Sequence, residues 1–198
     1  GPAMITTEEQ LLAAAEPTVT AFNRCGLAPD STELLAVVVA AFGDPGLEQL
    51  RESLAPVPVI GLGTSAVTAA RQRAEQSGTR FGIATTTPAL DASLWSLVRA
   101  CSGGNVAGEL GACAGIAYTR TDPNELAGQP ELQEAQLREA VAELAGTGAT
   151  EVIIGGGPLT TSAQQLLASP PVGPDGEPIT ITVPIVEVAR QVAELARS

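Results

Sequence analysis

Residues 37–50, VVVAAFGDPGLEQL, read as a strand, a turn and the start of a helix. Three consecutive valines form a run suited to a strand buried on both faces, and Phe-Gly-Asp-Pro-Gly then turns the chain into a helix. A strand that ends in such a turn is where an α/β protein places a small-molecule site, outside the carboxyl edge of its sheet. The same pattern repeats along the chain. Strand-like runs at residues 57–61, 80–85, 113–118, 151–154 and 179–183 precede helical patterns at 64–76, 88–101, 131–145, 162–168 and 185–197. Alternation of this kind implies right-handed crossovers and parallel sheets. At the N-terminus, residues 7–15 read as a short helix with a capping box at Thr6 or Thr7, ended by Pro17. Residues 18–22 read as a short strand and 26–31 as a turn. The segments 102–112 and 169–178 are the most loop-like.

Composition bounds the rest. The 198 residues are 44% hydrophobic but only 3% aromatic, so the core is built from Ala, Val, Leu and Ile. A net charge of −12, with 10 scattered basic residues, excludes nucleic acid and anionic membrane surfaces as partners. No apolar run reaches membrane-spanning length. Three cysteines in a chain without a secretory signal read as free thiols of a soluble cytoplasmic protein. There is no histidine, so the commonest general base and metal ligand are both missing; no metal is expected. Gly1-Pro2-Ala3 reads as the scar of a cleaved tag, with Met4 as the native start.

Several motifs carry two readings. GLGTSAV (61–67) has Gly-x-Gly before a helix, but Ala66 stands where the third glycine of a dinucleotide fingerprint belongs, so a strand-to-helix turn capped by Thr64 or Ser65 is expected. IIGGGPLT (153–160) lacks the Lys-Ser/Thr ending of a nucleotide loop and reads as an anion site at a helix N-terminus. In ATTTP (84–88) the hydroxyls either cap a helix or contact ligand. Asp44 is either a turn residue or a site carboxylate. Cys113, in an apolar run, reads as a buried, inert thiol.

Taken in order, VVVAAFGDPGLEQL, VPVIGLGTSAV, RFGIATT, CAGI, EVIIGGG and VPIVEVARQVAEL resemble the aspartate/glutamate/hydantoin racemase superfamily, with hydantoin racemases nearest, from about residue 34 to the C-terminus. The resemblance implies an α/β fold of two Rossmann-like lobes, pseudo-two-fold, with a cofactor-free cleft between them. The lobes would be residues 4–78 with 179–198, and 79–178. In that family two cysteines face each other across the substrate, one removing a proton from carbon and the other returning one to the opposite face. Here the first would fall at Ala41 and the second at Gly156, while Cys113 matches a non-catalytic mid-chain cysteine. The family's opening strand, ending in an Asn-Pro-Asn-Thr type segment, has no counterpart before Thr6.

The resulting expectation is a cofactor-independent cyclase, lyase or isomerase of specialised metabolism, acting on a small carbonyl or carboxylate compound. Its alternatives are a catalytically inactive binding or regulatory protein, and a racemase with a non-cysteine base. Asp44, Tyr118 and Cys113 are the acid/base candidates. Ala41, Phe42, Gly43, Thr64, Thr85, Thr86, Gly156 and Gly157 are the expected substrate-binding residues. A parallel sheet without its first strand exposes an edge, so a homodimer or higher even oligomer with contacts from residues 6–22 is expected.

Overall fold

A computed structural model describes residues 4–27, 34–102 and 111–197. The chain opens with helices α1 (Glu8–Ala13) and α2 (Ala15–Arg24), then strand β1 (Val37–Val39), α3 (Leu47–Leu54), β2 (Val59–Gly61) and α4 (Leu62–Ser77). It continues through β3 (Phe81–Thr85), a 3-10 turn (Pro88–Leu90), α5 (Asp91–Cys101), β4 (Cys113–Tyr118), α6 (Pro123–Leu126) and α7 (Pro130–Gly146). The last elements are β5 (Glu151–Ile154), a second 3-10 turn (Gly157–Leu159), α8 (Thr160–Ala168), β6 (Thr180–Thr182) and α9 (Pro184–Leu195). Strands β1 and β2 pair as one parallel sheet, and a second parallel sheet runs β4-β3-β5-β6. The fold is the expected α/β arrangement of parallel sheets and helices.

Burial explains the pattern. All residues of β3 and β5 are buried, which is why they read as continuous apolar runs with no alternation. The small side chains of α4, Ala66, Ala70 and Ala74, let it pack closely with Phe81, Ile83 and Ile153 of the larger sheet. The C-terminal segment joins both halves: β6 extends the larger sheet beside β5, while Val188 of α9 packs on Ile60 and Leu62. Among the described residues no helix is long and apolar enough to cross a membrane.

Two local expectations are corrected. Residues 18–22 form a helix, not a strand, because α2 restarts at Ala15 and Pro17 occupies its first turn, where a missing N–H costs nothing. Val19 and Phe22, three apart, then reach the cluster of Val39, Leu47 and Leu50, so tertiary packing overrides the β-propensity of Thr-Val-Thr. The strand of the VVVAAFGDPGLEQL stretch is confined to its three valines, and from Ala40 the chain bends toward the site described below. At the start of α1, Thr7 accepts from the Gln10 N–H (3.2 Å) while the Gln10 side chain takes the Thr6 N–H (2.7 Å). Most of the expected turn at 26–31 and of the loop at 102–112 lies outside the described residues. No strand precedes β1 among the described residues. Helices α1 and α2 lie beside its open edge, leaving an apolar gap of about 690 Å³ lined by Val38, Pro17 and Ala21.

Candidate functional site

The carboxyl ends of β1, β3 and β5 converge on a cavity of about 290 Å³. Ala40 to Gly43 follow β1 of the smaller sheet; Thr85 to Thr87 and Gly155 to Gly157 follow β3 and β5 of the larger one, so the cavity lies between the sheets. Phe42 is the wedge that sets this geometry. A side chain on Gly155 would place its Cβ 2.7 Å from the Phe42 ring, and one on Gly63 would collide with the Phe42 carbonyl oxygen. Both glycines are therefore spacers for Phe42. The Thr85 hydroxyl donates to the Gly155 carbonyl (2.7 Å), and the Gly155 N–H donates to Ala84 (2.9 Å), so the two strand ends are tied together. At Gly156 the backbone turns through φ +151°, a conformation essentially reserved for glycine.

The head of the cavity is rich in donors. The N–H groups of Phe42, Gly43, Gly156 and Gly157 have no acceptor among the described residues. Thr86 and Thr87 are both buried, and their hydroxyls lie 3.4 Å apart, so that pair uses only one of its two hydrogens. Leu159, at the N-terminal end of α8, borders the same space, and helix N-termini favour negative charge.

The three acid/base candidates lie elsewhere. Asp44 is turned away from the cavity and caps α4: one oxygen accepts from Gly63 N–H (2.9 Å), the other from the Thr64 N–H and hydroxyl (2.6 Å each). Thr64 is thereby a partner of Asp44 and not part of the cavity wall, and the cap expected from Thr64 or Ser65 comes instead from a residue in a different turn. The Tyr118 hydroxyl donates to Asp91 (2.6 Å), and burial together with that bond pushes its pKa up. Cys113 is buried in β4 against the Gly115 carbonyl, and burial raises its pKa, as it does for Cys101, so both thiols stay neutral. Cys25 is exposed at the end of α2. None of these side chains lines the cavity.

The Asp/Glu/Hydantoin racemase family profile matches residues 1–195. The chain belongs to that family. An allantoin racemase from Klebsiella pneumoniae superposes with a TM-score of 0.72 at 25% identity, covering 100% of this chain and 72% of that one. Allantoin racemase AllR from Pseudomonas fluorescens gives 0.72 at 21% identity, covering 100% and 74%. Glutamate racemase RacE1 from Bacillus anthracis gives 0.65 at 17%, covering 99% and 68%, and these last two speak to the fold alone. No curated protein is similar enough in sequence to match.

Within this racemase-family fold, Ala41, Phe42, Gly43, Thr85, Thr86, Gly156 and Gly157 all reach the cavity, as the carboxyl-edge rule anticipates. Ala41 and Gly156, the positions where the resemblance places two thiols, are both in its wall. The apolar half of the wall was not anticipated. Ile5 and Leu11 come from the N-terminal segment, Leu90 from the 3-10 turn before α5, and Leu94 and Leu97 from α5 itself. The spacing of those three leucines was the available signal, but it reads equally as an ordinary core-facing stripe. Leu11 reaches the site because Gly43 has no side chain: a Cβ there would lie 2.5 Å from a Leu11 methyl. Glu8 holds the helix in place, accepting from the Ser93 N–H (3.2 Å) and hydroxyl (3.3 Å) on α5.

Proposed function

We propose that this family member is a cofactor-independent enzyme of altered chemistry, a cyclase, lyase or isomerase acting on a small carbonyl or carboxylate compound, and not a two-thiol racemase. The observation that carries the reading is a donor-rich cavity head with Ala41 and Gly156 in its wall and no thiol beside them. The N–H groups of Phe42, Gly43, Gly156 and Gly157 and the hydroxyls of Thr86 and Thr87 hold a substrate oxygen. They also stabilise negative charge that develops on it, which is worth most in a site closed to water. A second reading, a small-molecule-binding protein without turnover, is favoured by the lack of any ionisable side chain in the wall among the described residues.

Native mass spectrometry of the purified protein identifies the bound molecule, and incubation of that molecule in deuterated water, followed by NMR, separates the readings. A changed bond supports the enzyme; saturable binding without change supports the binding protein; deuterium at carbon with no other change supports a racemase with another base. The variant Cys25→Ser/Cys101→Ala/Cys113→Ala is expected to keep its binding and turnover within about twofold, since none of its thiols touches the cavity. A folded but inactive triple variant would restore a thiol mechanism.

We also propose a homodimer formed across the open edge of β1, which neither α1 nor α2 seals. Sedimentation velocity at micromolar concentration is expected to give a dimer; a stable monomer overturns the assembly.

A further inference from the structure

The cavity wall divides its own ligand into two parts, and the division excludes one whole class of amphoteric molecule. We infer that the ligand is an amphiphile with a single oxyanionic head, a carboxylate or an enolisable carbonyl, an apolar body, and no ammonium group. This rests on the reading of the cavity as the functional site.

The head end has already been described: unpaired N–H groups, a hydroxyl pair with a hydrogen to spare, and the N-terminal end of α8, all favouring negative charge. The body end is hydrocarbon. Ile5, Leu11, Leu90, Leu94 and Leu97 face the same space, and a volume of about 290 Å³ corresponds to roughly ten water molecules at ~30 Å³ each, the size of a small metabolite.

An ammonium group entering this space would need an anion beside it, because an unpaired buried charge is very costly. Among the described residues the wall offers none. Two carboxylates come near the wall, Asp44 as the chain neighbour of Gly43 and Glu8 through Ser93, and neither side chain lines the cavity. Asp44 takes three hydrogen bonds from Gly63 and Thr64, and Glu8 takes two from Ser93. Free amino acids are therefore rejected at their amino group, whatever their side chain, while the matching carboxylic acids are accepted. The N-terminal end of α8 adds to the discrimination, since it repels a cation as it attracts an anion.

Calorimetric titration with octanoate and with 2-aminooctanoate, which differ only in the amino group, tests this on the intact protein. Octanoate is expected to bind at least about tenfold more tightly than 2-aminooctanoate. Thr86→Val, which removes one hydroxyl without changing the side-chain shape, is expected to weaken octanoate about tenfold. Ala41→Phe, which fills the cavity, is expected to abolish it. Equal binding of the two acids, lost in both variants, would overturn the ligand class and leave the site intact. Absence of binding by either acid, or octanoate binding indifferent to both variants, would overturn the site reading and this inference with it. If Ala41→Phe fails to fold by circular dichroism, Thr86→Val alone decides between these outcomes.

Discussion

Asp44→Ala is expected to destabilise the protein by about 3–5 kcal/mol in urea titration at neutral pH. The estimate has two sources. Asp44 sits at φ +49°, in the left-handed region that alanine occupies only at a cost of about 1–2 kcal/mol. Its carboxylate also satisfies the first N–H groups of α4, at Gly63 and Thr64, and buried donors left without an acceptor cost about 1–3 kcal/mol each. Asp44→Asn tolerates the backbone conformation and keeps one acceptor oxygen, so it should lose about half as much. A loss below about 1 kcal/mol for the alanine variant would show that the cap is dispensable. The asparagine variant carries a second result. If Asp44 only holds the turn, the variant binds and turns over ligand normally; if its carboxylate touched the reacting atoms, the variant would be folded and inactive.

The same residue makes a prediction about pH. Burial raises the pKa of Asp44 above its ordinary 3.8; hydrogen bonds from Thr64 and Gly63, and the charge of Arg51, pull it back without cancelling that shift. Because the folded value lies above the unfolded one, ionisation costs the folded state more. The contribution of Asp44 to stability therefore falls as pH rises from 3.8 through the raised folded value, and is constant above it. Asp44→Asn has no such titration. The stability gap between wild type and Asp44→Asn should narrow as pH increases through that window, and a gap that widens would mean the donors outweigh burial.

Much of this was legible in the chain, for reasons that differ by element. Strands β4 and β5 fall at the residues read from their apolar runs, because a strand buried on both faces leaves a signal that depends on composition alone. The segments at the carboxyl ends of β1, β3 and β5 wall the cavity, because parallel topology forces carboxyl ends together. What could not be read were relations between distant residues. Asp44 caps a helix that begins some twenty positions later, so each partner looked locally complete: Asp44 as a turn opener, Thr64 as its own cap. Gly63 and Gly155, which invited nucleotide or anion readings, are small to admit Phe42. The apolar wall from Ile5 and Leu11 depends on α1 folding back onto α5 through Glu8 and Ser93, contacts some 85 residues apart that no local pattern encodes.

A further long-range group carries the largest electrostatic effect expected. Arg73 on α4 donates to both oxygens of Glu151 at the start of β5 (2.6 and 3.1 Å), to Glu187 on α9 (3.3 Å) and to the Thr182 hydroxyl at the end of β6 (3.3 Å). Thr182 in turn donates to Glu151 (2.6 Å), and Arg190 to the other oxygen of Glu187 (2.6 Å). Both glutamates are nearly buried, with side chains 9% and 10% exposed, while Arg73 is 40% exposed. Arg73→Met leaves Glu151 without a cation and Glu187 with Arg190 alone. Breaking a buried pair from one side costs about 3–5 kcal/mol, and the partial exposure of Arg73 lets water reach the stranded charges, so about 2–4 kcal/mol is expected. Arg73→Lys keeps the charge but not the fork that engages Glu151 through two nitrogens, and should lose about 1–2 kcal/mol. The network joins α4 to β5, β6 and α9, so amide exchange should accelerate first in β6 and α9 of the methionine variant, before the centre of β3. Adding Glu151→Gln to Arg73→Met removes one stranded charge and should restore part of the loss. If the double variant is instead less stable than Arg73→Met, the carboxylate of Glu151 is held mainly by Thr182, and the arginine is a surface charge with little share in the joint.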